Sequence, residues 1–101
     1  MNIESFSDKA LRAAELLKMM GNERRLMILC QLGNGEKSVT ELETLIGLKQ
    51  SALSQHLAKL RSERLVETRR ESQTIYYSLA SEEVEKLIET LYGLYCPQLM
   101  K

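Results

Sequence analysis

The sequence predicts a mainly α-helical fold with one β-hairpin, the arrangement of a winged helix-turn-helix. Three observations lead to this prediction. Apolar residues recur at helical spacing through most of the chain. Two of the helical segments are joined by a short turn that contains Gly47. After Arg64 the spacing of apolar residues changes from about 3.6 to about 2, and a last helical segment follows. The predicted element order is α-α-α-α-β-β-α.

The first predicted helix covers residues 7–20. Ser7 or Asp8 stands near its start, and Gly21 breaks it. Its stripe of apolar positions consists of Ala10, Leu11, Ala14, Leu17 and Met20. A surface helix of this kind is expected to bury one side only.

Asn22 is expected to open the second helix, because its side chain can accept a hydrogen bond from a backbone N–H of the first turn. This helix, residues 23–32, is apolar on almost every side. It is therefore expected in the centre of the fold. The glycine-containing segment 33–35 ends it.

A helix-turn-helix comes next. Ser38 and Glu41 have the spacing of a capping box at the start of the third helix. Gly47 and Leu48 form the turn, and the fourth helix runs from about residue 50 to residue 63. The residues of the fourth helix that are predicted to point inward are Leu53, Leu57 and Leu60.

A hairpin and a final helix complete the chain. Residues 65–69 and 74–79 are predicted as two strands joined through residues 70–73. Ser81 is expected to cap the last helix, whose first turns are rich in glutamate, and Pro97 is expected to end it.

Composition favours a single cytoplasmic domain over residues 1–101. A hydrophobic content of 44% is enough for one core. No apolar run reaches the roughly 18 residues of a membrane span, and the first residues lack the basic and apolar segments of a signal peptide. In a reducing compartment the two cysteines are expected to be free thiols, metal ligands or redox sensors.

Charge is unevenly distributed although the formal net charge is zero. Residues 49–77 carry six basic and three acidic groups, whereas both flanking segments are net acidic. A positive segment between acidic ends is what a phosphate-facing surface needs. By itself the asymmetry does not distinguish such a surface from chance.

The outward face of the fourth helix is predicted to read DNA. Hydroxyl, amide and amine groups suit base edges and phosphates in a major groove, and glutamine can pair with adenine. A polar outer face is also what any surface helix shows, so the helix-turn-helix and hairpin around it favour the DNA interpretation. The residues on this face are Gln50, Ser51, Ser54, Gln55 and Lys59.

Further contacts to DNA are predicted from one histidine and from the hairpin. His56, the single histidine, is expected to pack or to contact phosphate rather than to bind a metal, since metal sites need several ligands. Arg69, Arg70 and Gln73 are expected near the hairpin tip, where they can reach phosphate or the minor groove. Two arginines in an exposed turn are also common as solvated charge.

Three segments resemble the ArsR/SmtB family of bacterial winged-helix regulators. They are residues 22–29 (NERRLMIL), 51–57 (SALSQHL) and 73–77 (QTIYY), in the order and spacing of that family. Within the family the chain is most similar to the BigR/HlyU-type branch, which senses reactive sulfur, on the strength of Cys30 in ILCQL and Cys96 in LYCP. The resemblance implies a dimeric regulator, expected as a repressor whose reduced form binds double-stranded operator DNA.

Lys49 departs from the family pattern. Relatives tend to have Ser or Asp at this position before the recognition helix. Lysine cannot accept the capping hydrogen bond, so the helix is expected to start at Ser51, or Lys49 is expected to reach a phosphate.

The two cysteines have two interpretations. From the residues alone, Cys30 is a small core residue and Cys96 an incidental thiol. The resemblance implies instead that the second and last helices pack side by side with these thiols facing, as a sensor of persulfide or polysulfide. A bridge with extra sulfur tolerates a Cα separation beyond the limit of about 7 Å for a disulfide. Arg24 and Arg25 are near enough in sequence to depress the pKa of Cys30.

The residues also bear on four alternative functions. A metal-responsive repressor of the same family is one alternative, but the third helix has no cysteine pair and two separated cysteines do not make a four-ligand zinc site. A regulator without small-molecule sensing and a protein-interaction module are two more. An enzyme is not expected, because no Gly-rich phosphate loop or acidic pair is present. No catalytic residue, metal ligand or cofactor is predicted.

The first and last helices carry more apolar surface than a core of this size should need. They are therefore predicted to pair across a two-fold axis and to make a homodimer. The predicted interface residues are Leu11, Ala14, Leu17, Val84, Leu87, Ile88 and Leu91.

Overall fold

The computed structural model describes residues 2–96, which form six helices and a three-stranded antiparallel sheet. In chain order the elements are α1 (Ile3–Ser7), α2 (Ala10–Met20), α3 (Glu23–Leu32), β1 (Lys37–Ser38), α4 (Val39–Ile46), α5 (Gln50–Ser62), β2 (Val66–Glu71), β3 (Thr74–Leu79) and α6 (Glu82–Tyr95). The strand order is β1-β3-β2, so β3 is central. The predicted winged helix-turn-helix is confirmed.

The core lies where α3, α4, α5 and α6 meet. Its fully buried side chains are Ile28, Leu29, Leu42, Leu53, Leu57, Leu60 and Val84. The central position predicted for α3 is therefore confirmed, although Met27 on its outer side is 41% exposed. Truncating one of the buried leucines to alanine is expected to cost about 2–5 kcal/mol of unfolding free energy.

The three predicted side-chain caps are all present. The Asn22 side chain accepts a hydrogen bond from the Arg25 backbone N–H at 3.1 Å. Ser38 and Glu41 form the complete capping box, with N···O distances of 3.2 and 2.9 Å. Ser81 accepts from the third residue of α6 at 3.2 Å. Each cap satisfies a backbone donor that a helix start would otherwise leave unpaired.

The first predicted helix is wrong at its start, because the chain forms two helices there. Asn2 caps the short α1, and Asp8 ends it. The Ser7 hydroxyl donates to the Glu4 carbonyl at 2.8 Å, so it is occupied by α1 and does not cap α2. The N-cap of α2 is Lys9, which makes no side-chain capping bond.

The hairpin is longer than predicted and its turn is shorter. Arg70 pairs with Ile75 and Glu71 with Thr74, so both residues belong to β2 rather than to the connection. The turn consists of Ser72 and Gln73 alone, and Ser72 adopts a left-handed φ of 57°. The two-residue strand β1, which was not predicted, pairs with β3 and extends the hairpin to a sheet.

Two other expectations concern the ends of the chain and membranes. Pro97, predicted to end the last helix, lies outside the described residues, and α6 ends at Tyr95. No helix within residues 2–96 combines the length and apolarity that crossing a bilayer requires.

Candidate functional site

In the helix-turn-helix formed by α4 and α5, one face of α5 is buried in the core. Leu53, Leu57 and Leu60 are fully buried. Between α4 and α5 the chain turns at Gly47, whose φ of +82° is accessible to glycine without strain. The apolar side of α5 is therefore fixed against the core, and its polar side is presented outward.

The side chains predicted to read DNA lie on that outward side. All of them are exposed except His56, which is half-buried. The exposed residues are Gln50, Ser51, Ser54, Gln55 and Lys59. Amide and hydroxyl groups that are spaced along one or two turns of a helix can offer hydrogen-bond donors and acceptors to successive base pairs.

Lys49 occupies the N-cap of α5, and the helix begins at Gln50 rather than at Ser51. No side-chain capping hydrogen bond is made there. The first N–H groups of α5 therefore receive no bond from the side chain of Lys49, which is exposed.

His56 lies close to two arginines that were not assigned to this surface. Partial burial lowers the pKa of the imidazole, and the charges of Arg25 and Arg24 lower it further. These arginines belong to the start of α3, which packs against α5. The sequence gives no local signal of this proximity, because it depends on how two helices pack.

In the wing, which is the hairpin formed by β2 and β3, Arg69 is held by two carboxylates. Its guanidinium donates to both oxygens of Glu36 and to Glu71, and it lies 4.8 Å from the centre of the Tyr76 ring. These hydrogen bonds raise the pKa of Arg69 and lower the pKa of Glu36. Arg69 is therefore within a strand and engaged, rather than at the tip.

The other wing residues are free of such contacts. Within residues 2–96, Arg70 makes no ion pair, and Gln73 is exposed in the two-residue turn. Arg70 therefore projects an uncompensated positive charge from β2.

The thiols of Cys30 and Cys96 are free and half-buried. Burial raises the pKa of Cys30, and the neighbouring Cys96 raises it further. The two groups are thus near enough to interact electrostatically. The expected depression of the Cys30 pKa by Arg24 and Arg25 is wrong, because the pKa is raised and neither arginine is among the causes of the shift.

The predicted dimer residues divide into three groups by exposure. Leu11 and Leu17 are 71% and 58% exposed, and Ala14 beside them is exposed too. Leu87 and Leu91 are half-buried. The assignment of Val84 and Ile88 to the interface is wrong, because they are 0% and 6% exposed and belong to the core of the protomer.

Four further large apolar side chains, not predicted as dimer residues, are also exposed. They lie on α1 and at the end of α6, and they are Ile3, Phe6, Leu94 and Tyr95. Their exposed fractions run from 54% for Phe6 to 79% for Tyr95. Exposed apolar area of this kind is typical of a surface that another chain covers.

Within residues 2–96, no three His, Cys, Asp or Glu side chains come together in a way that could hold a metal ion. The thiols of Cys30 and Cys96 thus have no third ligand among the described residues.

Comparison with known proteins gives consistent matches. The model of the arsR family of bacterial regulatory proteins matches residues 22–68. The transcriptional activator HlyU of Vibrio cholerae is 53% identical over 96 residues, which cover 95% of this chain and 89% of HlyU. The regulator YgaV of Escherichia coli is 47% identical over 89 residues, covering 87% and 90%. The crystal structure of the transcriptional repressor BigR from Xylella fastidiosa superposes with a TM-score of 0.90 at 42% identity, covering 95% of this chain and 98% of BigR.

Proposed function

Because the chain belongs to the arsR family of bacterial regulatory proteins, we propose that it represses transcription as a homodimer that leaves DNA when sulfur joins Cys30 to Cys96. The relatives are transcriptional regulators: HlyU is named an activator, and BigR is named a repressor. The observation that carries the DNA-binding part is the exposed polar face of α5, whose opposite face is fully buried.

We assign base reading to Gln55 and its neighbours Ser51 and Ser54. The phosphate contacts fall to Lys59 at the same face and to Arg70 in the wing. Phosphate contacts position a protein on the duplex, and base contacts give the sequence preference. Gln50, His56, Gln73 and Arg69 complete the proposed interface, with Arg69 acting through the orientation of the wing.

The dimer is proposed to form through α1, α2 and α6. Leu11, Leu17 and Tyr95 expose apolar surface that a second copy would cover. A related winged helix-turn-helix domain, Mb0332 of Mycobacterium bovis, is homodimeric and superposes with a TM-score of 0.77 at 33% identity. Two reading helices related by a two-fold axis can dock in successive major grooves, about 34–36 Å apart.

The sulfur response is proposed to begin at Cys96. A raised pKa leaves less thiolate on Cys30 at neutral pH, and the thiolate is the nucleophile. The Cys96 thiolate attacks an inner sulfur of a polysulfide, breaks an S–S bond and releases the shorter polysulfide anion. This leaves two added sulfurs on Cys96, the outer one carrying hydrogen. The Cys30 thiolate then attacks the inner added sulfur and expels hydrosulfide, which gives a Cys30–S–S–S–Cys96 trisulfide.

The electrons balance in this sequence. The two cysteine sulfurs are oxidised, and the polysulfide is reduced to its shorter anion and to hydrosulfide. The trisulfide ties the central helix α3 to the end of α6. Because α3 packs directly on α5, a shift of α3 is transmitted to the reading helix. A coupling of about 1–3 kcal/mol is enough to lower DNA affinity 5- to 150-fold.

The proposal is tested with duplexes that the reduced protein selects from a random-sequence pool. Reduced protein is expected to shift the selected duplex, polysulfide to release it, and dithiothreitol to restore binding. Cys30→Ser and Cys96→Ser are expected to bind normally and to stay bound. Mass spectrometry should show one extra sulfur atom in the bridged chain. Release of the double variant by polysulfide would overturn the sensing assignment, and release of the wild type by zinc would favour the metal-responsive alternative.

A further inference from the structure

A cleft between α2, α3 and α5 gathers charged side chains beside the reading helix. Its volume is about 250 Å³, and Lys59 of α5 is among the residues that line it. The residues that line it are Glu15, Lys18, Met19, Arg25, Lys59 and Glu63. Glu15 belongs to α2, Glu63 is the C-cap of α5, and Arg25 belongs to α3.

Arg25 is fixed in this cleft by its own helix cap and by a hydrogen bond. Its backbone N–H donates to Asn22, and its Nε donates to the Met19 carbonyl at 2.8 Å. Within residues 2–96, its terminal guanidinium nitrogens make no hydrogen bond and no ion pair. The side chain is therefore oriented, while two of its nitrogens keep their donors available.

Arg24 directly precedes Arg25 in α3, and His56 belongs to α5, which packs against α3. Arg24 is exposed and, among the described residues, has no carboxylate partner. The packing of α3 on α5 brings the start of α3 to His56, and the lowering of the His56 pKa by both arginines agrees with this placement. The other elements packed on α5, namely α4 and β2, contribute no charge that shifts the pKa of His56. Positive groups gathered without a bound anion repel one another, and an external anion relieves that repulsion.

We propose that Arg24, Arg25 and His56 form a phosphodiester-binding site that grips the DNA backbone beside the groove read by α5. The site rests on the proposed DNA-binding function and adds a contact from α3 to those of α5 and the wing. Its occupant is a phosphate of duplex DNA. Arg25 supplies oriented N–H donors, and Arg24 supplies an exposed positive charge. His56 takes up a proton from solution when the phosphate binds and then adds a further positive charge.

The site gives DNA binding a pH dependence. In the free protein the pKa of His56 is lowered, by partial burial first and then by Arg25 and Arg24. A bound phosphate favours the imidazolium and raises that pKa, so the complex binds more protons than the free protein. Affinity therefore increases as the pH falls through the window between the two pKa values. Above the pKa of the complex no proton is taken up and the dependence disappears.

The test uses Arg24→Ala and His56→Gln, because Arg25 also anchors the end of α2. The matched control is Lys86→Ala, an exposed base on α6 that lies 3.9 Å from Glu82. Affinity is measured for a random-sequence duplex and for a selected duplex over a range of salt and pH. Arg24→Ala is expected to weaken both duplexes by the same factor and to lower the salt slope by about 0.9. His56→Gln is expected to abolish the pH dependence, and Lys86→Ala to change neither.

Titration by NMR provides a second readout, because the single histidine gives one set of imidazole signals. The His56 pKa is expected to rise in Arg24→Ala and to rise in the wild type when random duplex is added. If Arg24→Ala binds like the wild type while Lys59→Ala is weakened, this site is wrong and the proposed function stands. If wild-type protein binds no duplex at low salt, the proposed function itself fails.

Discussion

Glu36 and Arg69 are joined by two hydrogen bonds although 33 residues of sequence separate them. Glu36 directly precedes β1, and Arg69 lies in β2, so the pair connects the two edges of the sheet across β3. The Tyr76 ring of β3 lies against the guanidinium, opposite Arg69 in the register. Two carboxylates thus compensate the charge of Arg69, and none compensates Arg70 among the described residues.

This difference predicts unequal roles for the two wing arginines. Arg70→Ala is expected to weaken binding to random and selected duplexes alike and to lower the salt slope by about 0.9, because a free phosphate contact is removed. Arg69→Ala is expected to change the salt slope much less. Fluorescence anisotropy at several salt concentrations measures both slopes. Equal slopes for the two variants would show that Arg69 leaves its carboxylates and contacts phosphate as well.

Glu36→Gln gives a separate prediction for the same pair. The ion pair is solvent-exposed, so its loss is expected to change the unfolding free energy by no more than about 1 kcal/mol. Removing a negative charge from the wing is expected to tighten binding to random duplex at low salt. Urea denaturation and anisotropy check the two parts. A weaker complex would indicate that the pair is needed to orient the wing.

Gln55 is predicted to carry sequence discrimination. It is exposed on the outward face of α5, and a glutamine amide can pair with the major-groove edge of adenine. Gln55→Ala is expected to cost about 1–3 kcal/mol on the selected duplex and little on random DNA. Lys59→Ala, one helical turn away, is the control and should weaken both. An equal loss on both duplexes for Gln55→Ala would reassign it to a backbone contact.

The apolar residues predicted for the dimer differ in exposure, so substitutions at exposed and at buried positions are expected to affect dimerisation and folding separately. Leu11→Glu places a charge on a side chain that is 71% exposed, so it is expected to dissociate the dimer and leave the protomer folded. Ile88→Ala truncates a side chain that is 6% exposed and is expected to lower the unfolding free energy by about 2–5 kcal/mol. Sedimentation velocity and thermal unfolding distinguish the two outcomes. A wild type that sediments as a monomer at micromolar concentration would contradict the proposed dimer.

Much of the fold was predictable because its signals are local. The Asn22, Ser38 and Ser81 caps each depend on residues within one helical turn, and all three are present. The buried face of α5 followed from helical spacing alone. The break between α1 and α2 was missed because Ser7 has two local hydrogen-bonding choices, and the sequence does not show which one it takes.

The parts that could not be predicted depend on packing between distant segments. Val84 and Ile88 have the same apolar spacing as dimer residues would have, and only the packing of α6 against the core assigns them to the interior. The hydrogen bonds from Arg69 to Glu36 depend on strand β1, which was not predicted. The pairing of β1 with β3 places Glu36, the residue before β1, within reach of Arg69. The action of Arg24 and Arg25 on His56 depends on the packing of α3 against α5, which joins segments about 30 residues apart in sequence.

The titration of Cys30 provides the last prediction. Burial is the larger cause of its raised pKa, and Cys96 is the smaller one. In Cys96→Ser the pKa is therefore expected to fall but to stay above that of the same variant unfolded in urea. Alkylation by iodoacetamide as a function of pH measures it directly, because this variant has a single thiol. A midpoint at or below the unfolded value would contradict the buried position of Cys30.

The sign of the linked stability follows from the same shift. Because the folded chain holds the Cys30 proton more tightly than the unfolded chain, it binds more protons between the two pKa values. The contribution of Cys30 to stability is thus fully present below the unfolded pKa and is lost as the pH rises through the folded one. In the proposed sensor, the raised pKa leaves less thiolate on Cys30, so trapping after a short polysulfide pulse is expected to find added sulfur on Cys96 first. Added sulfur that appears first on Cys30 would reverse the proposed order of attack.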